Sequence, residues 1–108
     1  MAREYWNPSS ITMSAVIWTQ KAIADVDRYI EYLNTLSPQA AQKAARRIRH
    51  AGHSLANNPR RCPAIQNAQG LRKMNLSVGK YGMVIHYVIF EEEVIILRVY
   101  HGREDRPI

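Results

Sequence analysis

The chain has 108 residues, the size of one domain, and 46% of them are hydrophobic, which excludes an intrinsically disordered chain. Its single cysteine, Cys62, excludes an internal disulfide and a zinc site built on paired cysteines, and fits a reducing, cytoplasmic compartment. The net charge of +6 favours an anionic or acidic partner, and no apolar stretch approaches the ~20 residues of a membrane span, so we expect no membrane partner.

The N-terminal third predicts a strand followed by a helix. Residues 11–18 are rich in β-forming side chains and contain neither Gly nor Pro, which is typical of a strand. We interpret residues 1–12 as an N-terminal extension and residues 13–106 as a single domain. Thr19 has the chemistry of a helix N-cap, and the apolar residues between Ala22 and Leu33 recur every three or four positions. This spacing predicts an amphipathic helix that ends near Leu36.

A second helix is predicted directly after the first. Ser37 followed by Pro38 is the pattern of an N-cap and a first helical residue. The apolar stripe of this helix consists of Ala41, Ala44, Ala45, Ile48, Ala51 and Leu55. Asn57, Asn58 and Pro59 end the helix, so the two helices form an αα-hairpin. Residues 60–69 are polar and lack periodicity, which predicts a loop.

The C-terminal part predicts three strands, at residues 71–77, 80–90 and 94–101. Their connections are short enough for hairpins, which favours an antiparallel meander. The fold class is therefore α+β: a two-layer domain with an N-terminal strand, a helical hairpin and a three-stranded antiparallel meander, in which the helices cover one face of the sheet. The other face is left open, and we expect a basic groove there.

The positive charge is concentrated in one part of the chain. Between Ser37 and Lys80 there are nine Lys and Arg residues and no Asp or Glu. Because like charges repel one another in a compact domain, this block favours a surface for a polyanion or an acidic protein segment over a merely solvated face. The candidate residues for binding a target or partner are Lys43, Arg46, Arg47, Arg60, Arg61, Arg72, Arg98, His101 and Arg103.

Two of these arginines lie inside predicted strands. Strand alternation places Arg98 on the same side as Ile96. A guanidinium in such an apolar run is costly unless it is paired or reaches a solvent-lined groove. One interpretation is a salt bridge, to Asp25, Asp27 or a turn glutamate. The other is that Arg72 and Arg98 line the open sheet face and clamp phosphate or carboxylate oxygens.

One histidine is suited to acid–base chemistry beside these arginines. His101 follows Arg98 by three residues, and imidazole is the side chain that best transfers protons near neutral pH. Histidine and arginine together have the chemistry to cleave an RNA phosphodiester. No metal site is predicted, because His50 and His53 lack a third ligand, and no cofactor motif is present.

The order of elements and four short stretches resemble the ParE/RelE toxin superfamily of type II toxin–antitoxin modules. The stretches are residues 18–26, 55–59, 70–74 and 96–105. The last is the most specific, since a hydrophobic strand leads to Arg98 and then to His101-Gly102-Arg103. This stretch is similar to the ParE branch, whose members are also labelled plasmid stabilisation proteins.

The resemblance implies a small cytoplasmic toxin that a cognate acidic antitoxin, ParD-like or similar, holds inactive. It implies binding to DNA gyrase without catalysis, and contact with free DNA only through the antitoxin complex. The resemblance also leaves open a RelE-like, ribosome-dependent mRNA endoribonuclease using Arg72, Arg98 and His101, although the chain ends without the Tyr of that branch. A third interpretation is an inactive homologue that only binds antitoxin. The acidic antitoxin segment is expected on the open sheet face and the basic helix.

Overall fold

A computed structural model describes residues 15–102 of the chain. Its elements are β1 (Val16–Trp18), α1 (Gln20–Leu36), α2 (Pro38–Ser54), a 3-10 turn (Leu55–Asn57), β2 (Arg72–Leu76), β3 (Met83–Phe90) and β4 (Glu93–His101). The predicted order of one strand, two helices and three strands is confirmed. The interpretation of residues 1–12 as an extension, the first four residues of the predicted strand at 11–18, and Arg103 lie outside the described residues.

The helical hairpin begins where the sequence predicts. The hydroxyl of Thr19 accepts a hydrogen bond from the backbone N–H of Ala22 at 3.1 Å, and the hydroxyl of Ser37 accepts one from Ala40 at 3.2 Å. Pro38 occupies the first turn of α2, where a missing N–H costs nothing. These caps satisfy backbone donors that a helix leaves unpaired at its start, so each helix has a defined first residue.

The sheet has the strand order β1-β4-β3-β2. Strands β2, β3 and β4 pair antiparallel, which confirms the predicted meander, and β1 pairs parallel with β4 through Val16 and Val94. The first strand in the chain therefore lies at the edge of the sheet, next to the last strand. Both helices pack on one face, which we call the helix face. The opposite face is called the outer face.

The core lies between the helix face and the hairpin. It includes Ile85, Tyr87 and Ile96 from the sheet, together with Ile23 and Ile48 from the helices. Small residues on α2 bring the layers close together. A Cβ on Gly52 would clash with the indole ring of Trp18, so glycine at position 52 lets α2 lie directly against β1.

The middle strand begins three residues later than predicted, at Met83 instead of residue 80. The reason is the conformation of the preceding segment, in which Gly79 and Gly82 have φ angles of 64° and 75°. Glycine adopts this left-handed region without steric cost, so the chain turns there instead of extending. None of the helices within residues 15–102 has the length and apolar composition to cross a membrane.

Candidate binding groove and basic residues

A groove of about 610 Å³ opens between the end of α1, the β2–β3 turn and the end of β4. Its principal lining side chains are Tyr29, Tyr32, Leu36, Lys80, Tyr81 and His101. Tyr32, Leu36 and Tyr81 are each more than half exposed, which is unusual for large apolar or aromatic side chains on one surface. We call this feature the aromatic groove.

The floor of the aromatic groove depends on a close approach between the turn and α1. A Cβ on Gly79 would lie 2.9 Å from the hydroxyl oxygen of Tyr29, so only glycine fits there without displacing that side chain. The turn is held to β4 by the N–H of Gly102, which donates to the carbonyl of Gly82 at 2.8 Å. The Lys80 ammonium lies 5.5 Å from the centre of the Tyr81 ring, which places a positive charge at the rim.

His101 lies in the aromatic groove as a stacked ring. Its imidazole and the ring of Tyr29 have centroids 5.6 Å apart and planes 25° apart. Burial raises the pKa of the Tyr29 hydroxyl above its ordinary value of 10.0, and the neighbouring Tyr32 adds to this, so Tyr29 stays neutral. The stacked pair gives the groove a flat aromatic wall.

A smaller hollow of about 240 Å³ continues from the aromatic groove along α2. Lys43 and Arg47 line it, and it shares Leu33 and Gly79 with the aromatic groove. The guanidinium of Arg47 donates to the carbonyl of Ser77 at 2.7 Å, which ties α2 to the end of β2. The basic side of α2 and the aromatic groove thus form one continuous surface.

Arg98 is paired with Asp25. Its Nε and a terminal nitrogen donate to the two carboxylate oxygens of Asp25 at 2.8 and 2.9 Å, and the backbone N–H of Val99 donates to the same carboxylate at 2.8 Å. Burial by itself would raise the pKa of Asp25, but the hydrogen bonds from Arg98, Val99 and Arg28 outweigh it and hold the pKa below 3.8. Of the two interpretations of Arg98, the structure shows the salt bridge.

Arg98 lies on the opposite side of the sheet from the side that simple strand alternation predicts. The β3–β4 register shifts between His86 and Tyr87, which pair with Arg98 and Ile96, so Leu97 is an extra residue in β4. After such a bulge, each residue of the strand points to the side of the sheet opposite to the one that alternation predicts. The prediction that Arg98 shares a side with Ile96 is therefore wrong.

Arg72 lies on the helix face and holds the preceding loop. It is opposite Tyr87 in the register, and its guanidinium donates to the carbonyls of Cys62 and Arg60 at 2.6 and 3.3 Å. The Tyr87 hydroxyl donates to the carbonyl of Pro59 at 2.7 Å, and burial raises the pKa of that hydroxyl, which keeps the donor protonated. The alternative that Arg72 lines the open sheet face is wrong, because Arg72 lies on the helix face and its guanidinium binds the carbonyls of the preceding loop.

The other predicted basic residues do not converge on one point. Arg61 donates to the carbonyl and hydroxyl of Ser54 at the end of α2. Lys43, Arg46 and Arg60 are exposed. The centre of the outer face holds apolar side chains instead of the predicted basic groove, because the charge lies along α2, the loop after it and the β2–β3 turn.

The sequence interpretation missed the aromatic wall. Tyr29, Tyr32 and Leu36 are spaced by three and four residues, which places them on one side of α1. Tyr32 and Leu36 fall outside the apolar stripe that predicted the helix, and that mismatch was the available signal. Among residues 15–102, no three His, Cys, Asp or Glu side chains are grouped to hold a metal ion.

Comparisons with known proteins agree on one family. A family model described as the ParE toxin of the type II toxin–antitoxin system, parDE, matches residues 16–106. Toxin RelE2 of Caulobacter vibrioides is 35% identical over 90 residues, covering 83% of this chain and 97% of the relative. Toxin RelE3 of the same organism is 27% identical over 94 residues, covering 87% of this chain and all of the relative.

Solved structures show the same fold. A chain from the chromosomal ParDE TA system of P. aeruginosa superposes with a TM-score of 0.69 at 24% identity, covering 85% of this chain and 98% of that chain. The hypothetical protein HP0894 of Helicobacter pylori superposes with a TM-score of 0.53 at 17% identity, covering 86% and 98%. The two-layer architecture is thus shared by proteins whose sequences have diverged widely.

Proposed function

The chain belongs to the ParE toxin family of type II toxin–antitoxin systems, and from this membership we propose that it inhibits DNA gyrase by binding and without catalysis. A toxin of such a system has an antitoxin as its partner. The observation that supports binding over catalysis is the placement of Arg72, Arg98 and His101. Each makes its own contact within the fold, and the three do not surround one point.

The distance between Arg72 and His101 follows from the sheet register. Arg72 pairs with Tyr87 and His101 pairs with Met83, so they are four residues, or roughly 13 Å, apart along β3. They also lie two strands apart, which adds about 10 Å across the sheet. The backbone positions are therefore about 16 Å from each other. A general acid–base group needs hydrogen-bond distance from the reacting atoms, which this arrangement does not offer jointly.

The aromatic groove has the chemistry of a protein-binding surface. Aromatic side chains are enriched at the centre of protein interfaces, and the rim around them is polar. Lys80 at the groove and Lys43 along α2 attract carboxylates, while Tyr32 and Tyr81 accept apolar side chains. We expect the antitoxin to supply a segment rich in Asp, Glu and apolar residues that folds onto the aromatic groove and the adjoining face of α2.

The target is tested by two assays run side by side. Purified toxin is added to gyrase with relaxed plasmid and, separately, to a translation extract with a reporter mRNA. We expect the toxin to block supercoiling, to accumulate cleaved plasmid and to leave the mRNA intact. Cleaved mRNA with normal supercoiling would replace this proposal by the ribosome-dependent nuclease, an alternative favoured by the RelE names of the two relatives. Activity in neither assay would support the inactive homologue.

The groove is tested with a pair of matched charge reversals. Lys80→Glu reverses a charge at the rim, whereas Lys21→Glu reverses an exposed charge at the opposite end of α1. We expect Lys80→Glu to weaken antitoxin binding about tenfold, and added salt to weaken wild-type binding, because exposed charges are screened within roughly 8–10 Å. Equal affinities for the two variants would exclude the groove as the docking site.

A further inference from the structure

The turn between β3 and β4 carries an exposed aromatic ring beside three carboxylates. Phe90 is 59% exposed and pairs with Glu93, so Glu91 and Glu92 alone form the turn. Their φ angles are 50° and 67°, as a two-residue type I′ hairpin requires. Such a turn is narrow, and both glutamates at its tip are exposed. We call residues 90–93 the acidic turn.

The acidic turn has the composition that the aromatic groove is expected to bind. The groove offers the exposed rings of Tyr32 and Tyr81, and the Lys80 ammonium lies at its rim. Lys43 adds a second cation in the adjoining hollow along α2. The groove volume of about 610 Å³ lies in the range of clefts that enclose whole small ligands, roughly 300–1,000 Å³, so one phenyl ring and the tip of a narrow turn fit. The two surfaces thus complement each other in charge, polarity and size.

The acidic turn and the aromatic groove lie at opposite ends of the sheet. Glu93 begins β4, and His101, which lines the groove, ends it. At about 3.3 Å per residue, the strand separates these two positions by roughly 26 Å. One copy therefore cannot place its own turn in its own groove, and the turn can reach a groove only on another copy.

We propose that the acidic turn of one copy docks in the aromatic groove of a second copy, with Phe90 packed against Tyr32 and Tyr81. The glutamates of the turn then lie beside Lys80 and Lys43. This inference rests on the proposed function, since it gives the groove the same kind of acidic and apolar occupant. A second copy and the antitoxin segment exclude each other from the groove, so free toxin self-associates and excess antitoxin separates the copies. One ring and one turn bury less than the roughly 1,200 Å² of a stable complex, so the contact is weak and transient.

Sedimentation velocity of the full chain without antitoxin measures this contact. We expect the weight-average mass to rise between about 10 and 500 µM, because an interface of this size binds more weakly than about 1 µM. Glu92→Lys should raise the dissociation constant at least about tenfold. Its control, Glu31→Lys, makes the same change in charge two positions from Tyr29 and Leu33, on another side of α1, and should have no effect. A wild type that stays monomeric over this range, or equal effects of the two substitutions, would overturn the proposal.

Mixing two variants tests whether the turn and the groove are the paired surfaces. Phe90→Asp removes the ring from the turn and retains the groove, whereas Lys80→Glu reverses the rim charge and retains the turn. Each variant alone should stay monomeric, and their mixture should form heterodimers, because each copy supplies the surface that the other lacks. A mixture that stays monomeric would overturn the proposal.

Antitoxin affinity separates this inference from the proposed function. Phe90→Asp should bind the antitoxin as tightly as the wild type does, since its groove is intact, while Lys80→Glu should bind it more weakly. If Lys80→Glu weakens antitoxin binding but the wild type never self-associates, only the present inference fails. If the wild type self-associates but Lys80→Glu binds the antitoxin normally, only the antitoxin docking fails.

Discussion

The carboxylate of Asp25 is expected to be the main polar link between α1 and the sheet, and Asp25→Ala measures it. The side chain of Asp25 is 2% exposed and accepts hydrogen bonds from the Arg98 side chain and the Val99 backbone. Among residues 15–102, β4 has no pairing strand on this edge beyond β1, and the carboxylate of Asp25 on α1 accepts the hydrogen bond from Val99 there. Removing the carboxylate leaves the Val99 N–H without its acceptor in a buried position.

The magnitude follows from the exposure of each partner. Breaking a fully buried ion pair costs about 3–5 kcal/mol, and an unsatisfied buried N–H costs about 1–3 kcal/mol. The side chain of Arg98 is 36% exposed, so water replaces part of what it loses. We therefore expect Asp25→Ala to lower the free energy of unfolding by about 2–4 kcal/mol, measured by urea denaturation at pH 7.

The matched control removes the exposed partner of the same carboxylate. Arg28 donates to Asp25 at 3.1 Å, but its side chain is 60% exposed. Arg28→Ala should cost no more than about 0.5 kcal/mol, as exposed pairs of this spacing do. The reasoning fails if Asp25→Ala changes the unfolding free energy by less than the control, or if both variants cost the same.

Three further predictions concern the pH dependence of the Asp25 pair, the packing at Gly52 and the loop that Arg72 binds. Because the folded-state pKa of Asp25 lies below 3.8, its stabilisation is fully present above about pH 4 and is lost as the pH falls, so the difference in stability between the wild type and Asp25→Asn should shrink on acidification. Gly52→Ala should destabilise the protein, because the added methyl group would clash with the indole ring of Trp18 and this cost outweighs the gain of about 1 kcal/mol in helix propensity; a higher melting temperature would refute this packing. Arg72→Met should speed proteolysis within residues 60–69 while Arg60→Met does not, and equal digestion rates would show that Arg72 does not hold the loop.

Local signals in the sequence predicted the elements well, because their causes are local. The caps at Thr19 and Ser37 are formed by side chains that bond to the backbone three residues later. The meander follows from short connections between strands. The place of β1 beside β4 depends on contacts between residues nearly 80 positions apart, such as Val16 and Val94, and no local pattern encodes that choice.

The site was harder to predict, because it depends on one extra residue in β4 and on the close approach of the β2–β3 turn to α1. The bulge at Leu97 places Arg98 on the opposite side of the sheet, and nothing in the hydrophobic sequence of β4 predicts a bulge there. The aromatic groove exists because the β2–β3 turn lies against Tyr29, which requires Gly79 at that position. Charge counting found the basic residues of this surface but missed the aromatic residues that give it shape.

The central claim is that the toxin acts by binding, and His101→Phe tests it most directly. Phenylalanine retains a flat ring to stack on Tyr29 but has no proton to transfer. The inhibition of gyrase supercoiling by this variant is measured against the wild type over the same concentration range. We predict inhibition within about threefold of the wild type, since a binding surface keeps its shape. If the wild type cleaves mRNA, and His101→Phe loses both that cleavage and its toxicity in cells, the claim is contradicted.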